Sequence, residues 1–382
     1  MLKNLILLLL LLPATLFAQV SLGGKVIGMV DKKAVPNASV FLNKTGVGGA
    51  TLENGTFNLS NVRNGQYELL VKCVGFEPYS QTIQVNGSDI TLPVIELMPK
   101  VTVLNEVKVQ FDPNRQRHLE MLIAEFLGHS ENARDCKILN PELLDMGYDS
   151  KTGTITASTN DFLIIENKAL GYRIKYQLLS FELNPRAGTI AYSGQSIFEA
   201  MKGSASQEKR WQKNRITAYL GSDMHFFRAC IANDVPEEGF IARRMIRTLN
   251  TNRPPDSLIS ARLEAIYNTS PNMAGYSDSL SYWRGKARMS KYNEELIKTP
   301  VNSLDYIRLT QRKGIYGITY KDCLVVTYKD TKSTIVTFKK PFAFFDENGI
   351  IMNPESALLE GYWGTHRIAD LLPSDYQLPT TF

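Results

Sequence analysis

Between Val20 and Val85 apolar and polar residues alternate in short runs separated by turn residues. Period-two alternation sends one side chain inward and the next outward, which is the pattern of a half-buried strand. The runs are Gly24–Gly28, Ala34–Leu42, Gly49–Leu59, Gly65–Val71 and Val74–Tyr79. Asn54-Gly55 and Asn64-Gly65 mark tight turns, and several such strands within about 80 residues predict a small β-sandwich. Gly46-Val47-Gly48-Gly49 falls inside this hairpin region with no helix behind it, whereas a phosphate loop needs that helix.

Each conspicuous residue has a folding role. Asn54-Gly55 supplies the positive φ angles of a turn, Phe57 and Tyr67 plug the core, and Gly75 relieves a crowded strand end. This order of glycines, prolines and aromatics over residues 19–100 resembles the carboxypeptidase regulatory-like domain, a transthyretin-like, Greek-key sandwich that bacteria place at the front of many cell-envelope proteins. The resemblance implies a spacer or interaction module without a catalytic role. Behind it, residues 101–112 read as a linker, and Val103–Val109 is similar to the joining segment that follows this domain in outer-membrane receptors of Bacteroidetes-type bacteria. The remaining chain is too short for a plug and barrel, and it lacks the ladder of ~10-residue alternating strands a barrel requires. The terminal Phe382 is a single aromatic and does not make one.

Ahead of the sandwich, Met1–Ala18 combines Lys3, an apolar run from Leu5 to Leu12, Pro13 and a Leu16-Phe17-Ala18 ending. That is the build of a secretory signal peptide cleaved after Ala18. The run falls short of the ~20 residues that span a bilayer, and no cysteine stands at the cleavage point to carry a lipid. The expected mature protein is exported and periplasmic, outer-membrane associated or at the cell surface, either soluble or peripherally attached.

Composition excludes several classes. A hydrophobic fraction of 43% is ample for packed cores, so disorder is not expected. The 43 basic and 38 acidic side chains are interspersed, and nothing demands nucleic acid. Lys209, Arg210, Lys213 and Arg215 read as a solvated helix face. Cys73, Cys136, Cys230 and Cys323 are far apart with no Cys-x-x-Cys pair, which excludes zinc-ribbon and thioredoxin chemistry and favours mostly buried free thiols.

Residues 113–382 read as a mixed domain with antiparallel strands, making the whole chain α+β. Leu119, Leu122, Ile123, Phe126 and Leu127 form one helical stripe. Two or three antiparallel strands are expected over residues 153–194, a helix over Ser206–Ala232, and a loop over Leu249–Ser257. Further strands are expected around Tyr306–Leu309, Leu324–Tyr328 and Thr334–Phe338, then a helix over Thr365–Leu371 stopped by Pro373. The phrases Ile190–Gly194, Tyr219–Arg228, Gly361–Trp363 and Ala369–Pro373 together resemble the C-terminal region found behind the regulatory-like domain in Bacteroidetes envelope proteins, a resemblance that implies no particular reaction.

Chemistry has few places to reside. Arg215, Ser222 and His225 are spaced to share one side of a helix, and a serine beside a histidine suggests a nucleophile and its base. Ser222 has no Gly-x-Ser-x-Gly elbow, and a base on the same helix seldom aligns with its neighbour's hydroxyl. Residues His118, His129, His225 and His366 form neither His-x-x-Glu nor His-Glu-x-x-His, so zinc peptidase chemistry is not expected. Trp211, Trp283 and Trp363 read as core fillers rather than sugar platforms. Glu237-Glu238 and Asp370 with Asp375 lack the context that separates two carboxyl pKa values. No catalytic residue is assigned, Ser222, His225 and Arg215 being the only candidates, and no cofactor or metal is expected.

The expected role is non-catalytic binding or scaffolding in the cell envelope, with the sandwich docking to another envelope protein through its strand edges. Two alternatives stay open: a hydrolase using the Ser222 and His225 helix, and an accessory subunit of an outer-membrane transporter.

Overall fold

The computed structural model describes residues 20–100 and 112–379. The signal-like segment, the joining segment Val103–Val109 and Phe382 lie outside the described residues.

Eight strands build the N-terminal sandwich: β1 (Val20–Gly28), β2 (Ser39–Leu42), β3 (Gly48–Ala50), β4 (Thr56–Val62), β5 (Gly65–Lys72), β6 (Tyr79–Val85), β7 (Ile90–Thr91) and β8 (Ile95–Leu97). One sheet has the order β4-β1-β7 with β8 also on β1, and the other runs β3-β2-β5-β6. Strand β1 is antiparallel to β4 but parallel to β7 and β8. Phe57 and Tyr67 enter the core with Leu22, Val26, Leu59 and Leu69. Gly55 carries the turn at φ 76°, and a Cβ there would sit 2.4 Å from the Val26 carbonyl. Asn54 contributes through its side chain, which accepts the Thr56 N–H.

Two local expectations need correction. Val74–Phe76 is a turn closed by the Phe76 N–H donating to the Cys73 carbonyl, and the strand begins at Tyr79. Gly75 sits at φ 85° with nothing within 4 Å of a would-be Cβ. It serves the turn's left-handed backbone, not a crowded strand end.

In β2 and β5 the alternation gives way to the runs Val40-Phe41-Leu42 and Leu69-Leu70-Val71, which is what a strand covered on both faces requires. Val40, Leu42, Leu69 and Val71 face the sandwich core. Phe41 and Leu70, opposed in register, stand outside that core yet are 1% and 0% exposed. The rest of the chain covers them: Phe41 meets Phe162 edge-on at 5.8 Å, and the Lys72 ammonium lies 4.8 Å from the Phe162 ring centre.

Helix α1 (Arg115–Leu127) follows, then β9 (Cys136–Ile138), β10 (Asp145–Asp149), β11 (Thr154–Ser158), β12 (Leu163–Asn167), β13 (Tyr172–Asn184) and β14 (Thr189–Ala200). Their sheet runs β10-β11-β13-β12-β9, with β14 antiparallel along the whole of β13. The predicted stripe of α1 packs on it, Phe126 meeting Tyr176, Phe181 and Tyr192 edge-on. The β2–β3 turn lies against β14: the Lys44 N–H donates to Ser196 O, and the Phe198 N–H donates to Thr45 O, each at 2.8 Å.

The helix expected over Ser206–Ala232 is two helices, α2 (Ala205–Tyr219) and α3 (Asp223–Ala232). Gly221 at φ 83° turns the chain, and Ser222, in extended conformation, caps α3. Strand β15 (Phe240–Leu249) leads through the expected loop into helices α4 (Asp256–Tyr267) and α5 (Tyr276–Arg288), which the sequence had not singled out, and β16 (Tyr292–Pro300) returns. After α6 (Ser303–Tyr306) come β17 (Ile307–Leu309), β18 (Ile315–Ile318), β19 (Cys323–Tyr328), β20 (Lys332–Phe338), β21 (Ala343–Asp346), β22 (Ala357–Gly361) and α7 (Tyr362–Thr365). They complete sheets of order β16-β15-β19-β20-β22 and β17-β18-β21. A largely aromatic core, including Phe226, Phe227, Phe240, Tyr306, Phe345 and Trp363, joins them to α3.

The helix expected over Thr365–Leu371 is interrupted. Arg367 is extended, at φ −137° and ψ −150°, its guanidinium pairs with Glu125 of α1, and only a short 3-10 turn forms at Ile368–Asp370. Among the described residues no helix is long and apolar enough to cross a membrane.

Candidate functional site

The break between α2 and α3 brings the sequence candidates near one another but gives each a structural partner. The Ser222 Oγ accepts the His225 N–H at 3.1 Å, which is the ordinary cap of a helix. Imidazole Nδ1 of His225 accepts the Gly221 N–H at 3.1 Å. The proton of the neutral ring therefore sits on Nε2, which faces Glu238 Oε2 at 2.9 Å. The ring is buried against Tyr219, Phe240 and Tyr328. Burial lowers its pKa from the ordinary histidine value, Glu238 opposing the shift.

A base for Ser222 would need a free ring nitrogen aimed at Oγ, and both nitrogens have other partners. Arg215 is further removed, on α2 rather than α3. Its Nε donates to Leu170 O at 2.7 Å, an NH2 group donates to Gly171 O at 3.1 Å, and the guanidinium stacks 3.9 Å above the Tyr172 ring. The three candidates thus hold backbone. They do not share a helix face, because Gly221 intervenes.

Of the other phrases singled out in the sequence, Gly361–Trp363 reaches this break. Trp363 Nε1 donates to Gly221 O at 2.8 Å, and Lys332 Nζ donates to Leu220 O at 2.6 Å. Arg228 donates to the carbonyls of Asn348, Tyr376 and Ser374 at 2.9, 2.7 and 2.8 Å. Ser374 N–H donates in turn to Lys44 O of the sandwich. Near that contact Lys44, Asp346 and Asp223 lie within electrostatic reach of one another. Loss of water lowers the lysine pKa and raises both carboxyl groups. Sequence reasoning missed Lys44, Asp346 and the role of Glu238, since each depends on residues more than ten positions away.

Two open hollows lie elsewhere. One, about 250 Å³, is bordered by Met121, Glu125, Leu183, Ile190 and Arg367, and the other, about 390 Å³, lies along α5. Neither is lined by Ser222 or His225. Among the described residues no three histidine, cysteine, aspartate or glutamate side chains gather as metal ligands. All four cysteines are free, and burial raises the Cys136 thiol to about 12. Trp211 and Trp363 are buried in the core, while Trp283 is half-buried on α5. Of the predicted basic stretch, Lys209, Arg210 and Lys213 are exposed and Arg215 turns inward.

The molecule is thus an α+β protein headed by a β-sandwich. Residues 22–109 match the model of the CarboxypepD_reg-like domain, and the chain carries such a domain there. No curated protein matches the chain. Among solved structures, a type II cohesin–X–dockerin complex from Acetivibrio cellulolyticus is 16% identical over 20% of this chain and 56% of that one, with a TM-score of 0.19. A Bacteroides fragilis protein described as membrane-associated and of unknown function is 8% identical over 90% of this chain and 95% of that one, at 0.18. A DUF3823 family protein from Bacteroides uniformis is 8% identical over 90% and 96%, at 0.17. At TM-scores this low the three likenesses bear on neither fold nor function.

Proposed function

We propose that this chain is an exported, non-catalytic binding or scaffolding protein of the cell envelope, and that its sandwich docks on another envelope protein. One observation carries the reading. Met29, Val30, Val74 and Met98 are 41%, 78%, 98% and 55% exposed. They stand on neighbouring loops, since the Met29 N–H donates to Leu97 O, the Glu77 N–H to Met98 O and the Lys100 N–H to Gly75 O. Clustered apolar side chains that no other described residue covers mark interaction sites. The outward face of the β2–β5 sheet is already in use, Phe41 and Leu70 being buried against the rest of the chain. The structural use of Ser222 and His225 supports the non-catalytic part of the reading.

The test is site-specific photo-crosslinking in native envelope fractions from position 74, with position 209 on the exposed face of α2 as reference. One protein crosslinked from 74 and not from 209, and lost in a Val30→Asp, Met98→Asp variant that stays folded, is the expected result. Equal crosslinking from both positions, or none from 74, overturns the reading.

A further inference from the structure

We propose that the α4–α5 pair is a membrane-docking arm whose outer face takes the phosphate headgroups of an anionic lipid surface. This does not rest on the sandwich patch. Strand β15 pairs with β19 only over Phe240–Met245, and beyond that its partner is β16 alone, so the two helices are carried away from the sheet. No residue of α5 is buried, and Ile259 is the buried residue of α4.

The arm is itself positively charged: residues 250–291 hold six cations and three acids, a net charge of +3. Asp256 is taken up by Arg253 and Lys291. Arg262 and Arg284 are exposed and face the rings of Trp283 and Tyr267 at 6.0 and 5.9 Å.

On α5 the spacing of Ser277, Ser281, Arg284 and Arg288 puts them on one face, and they border the open hollow of about 390 Å³. Its border contains two hydroxyls and two guanidinium forks but no carboxylate, which is the donor set for phosphate oxygens. Gly285 keeps the floor open, with nothing within 4 Å of a would-be Cβ.

A plane of headgroups fits this arm better than an acidic peptide. The cations are spread among Tyr and Trp rings, side chains suited to the headgroup level. Residues 268–275, which join the helices, carry no charge and present Met273 at 62% exposure.

The experiment is sedimentation of the full mature protein with vesicles of phosphatidylcholine alone and with about one phosphatidylglycerol in three. Binding only to the anionic vesicles is expected. An arginine near such a surface contributes about fivefold, so Arg284→Gln with Arg288→Gln should weaken partitioning about 30-fold. Lys209→Gln with Lys213→Gln, equal in charge but on α2, should leave it within about twofold. All four side chains are exposed, and unchanged circular dichroism confirms folding. Failure to bind, equal binding to neutral vesicles, or equal loss in both variants overturns the proposal. Complete release by inorganic phosphate at matched ionic strength would assign the face to a soluble phosphate and also overturn it.

Discussion

Phe41→Ala tests whether the sandwich is held by its outer sheet face. Phe41 is 1% exposed, and full burial of a phenylalanine is worth about 2–3 kcal/mol. The cavity left behind brings the expected loss to about 3–5 kcal/mol. About 1 kcal/mol of this belongs to the edge-on contact with Phe162. Phe162 is itself only half-buried, so Phe162→Ala should cost roughly 1–2 kcal/mol. The double variant should therefore be about 1 kcal/mol more stable than the sum of the single losses predicts.

Urea unfolding measures these values if two signals are followed together. All three tryptophans lie outside the sandwich, so their fluorescence reports the rest of the chain, while far-ultraviolet circular dichroism reports both parts. The wild type should unfold in one coincident transition. Phe41→Ala should shift the fluorescence midpoint although the substitution is in the sandwich. A coupling below about 0.3 kcal/mol, or a fluorescence transition untouched by Phe41→Ala, would refute the argument.

Removal of the Ser222 hydroxyl in Ser222→Ala should cost about 1 kcal/mol through loss of the helix cap, as read by thermal melting, without affecting crosslinking from position 74. His225 has a lowered folded pKa, so the unfolded chain protonates first as pH falls below about 6.5, and this part of the stability is lost from there downward. His225→Gln should flatten the melting temperature between about pH 7.5 and 5, and an unchanged slope would count against the buried neutral ring.

Much of the sandwich was legible because its signals are local. Gly55 is needed for a positive φ, and Phe57 and Tyr67 sit at alternating positions beside polar neighbours. The stripe on α1 was equally readable, since Leu122, Phe126 and Leu127 lie on one face of a single helix. The candidate site was misread for the converse reason. Helical spacing through Leu220-Gly221-Ser222 looked continuous, while the bonds that make a break there favourable come from Trp363 and Lys332, more than a hundred residues on. Helices α4 and α5 escaped notice because neither buries a broad apolar stripe.

By itself, then, the sequence determined that residues 20–100 form a β-sandwich, that the chain is α+β overall and that it carries no sequence motif for metal or phosphate chemistry. Period-two alternation, turn residues and motif spacing are properties of neighbouring positions. Only the tertiary structure decided what Ser222, His225 and Arg215 do, why Phe41 and Leu70 are apolar, and where the positive charge is displayed. Those outcomes depend on which distant carbonyl, ring or carboxylate is brought within bonding distance, and the balance of burial against hydrogen bonding that selects it is settled only when the whole chain packs.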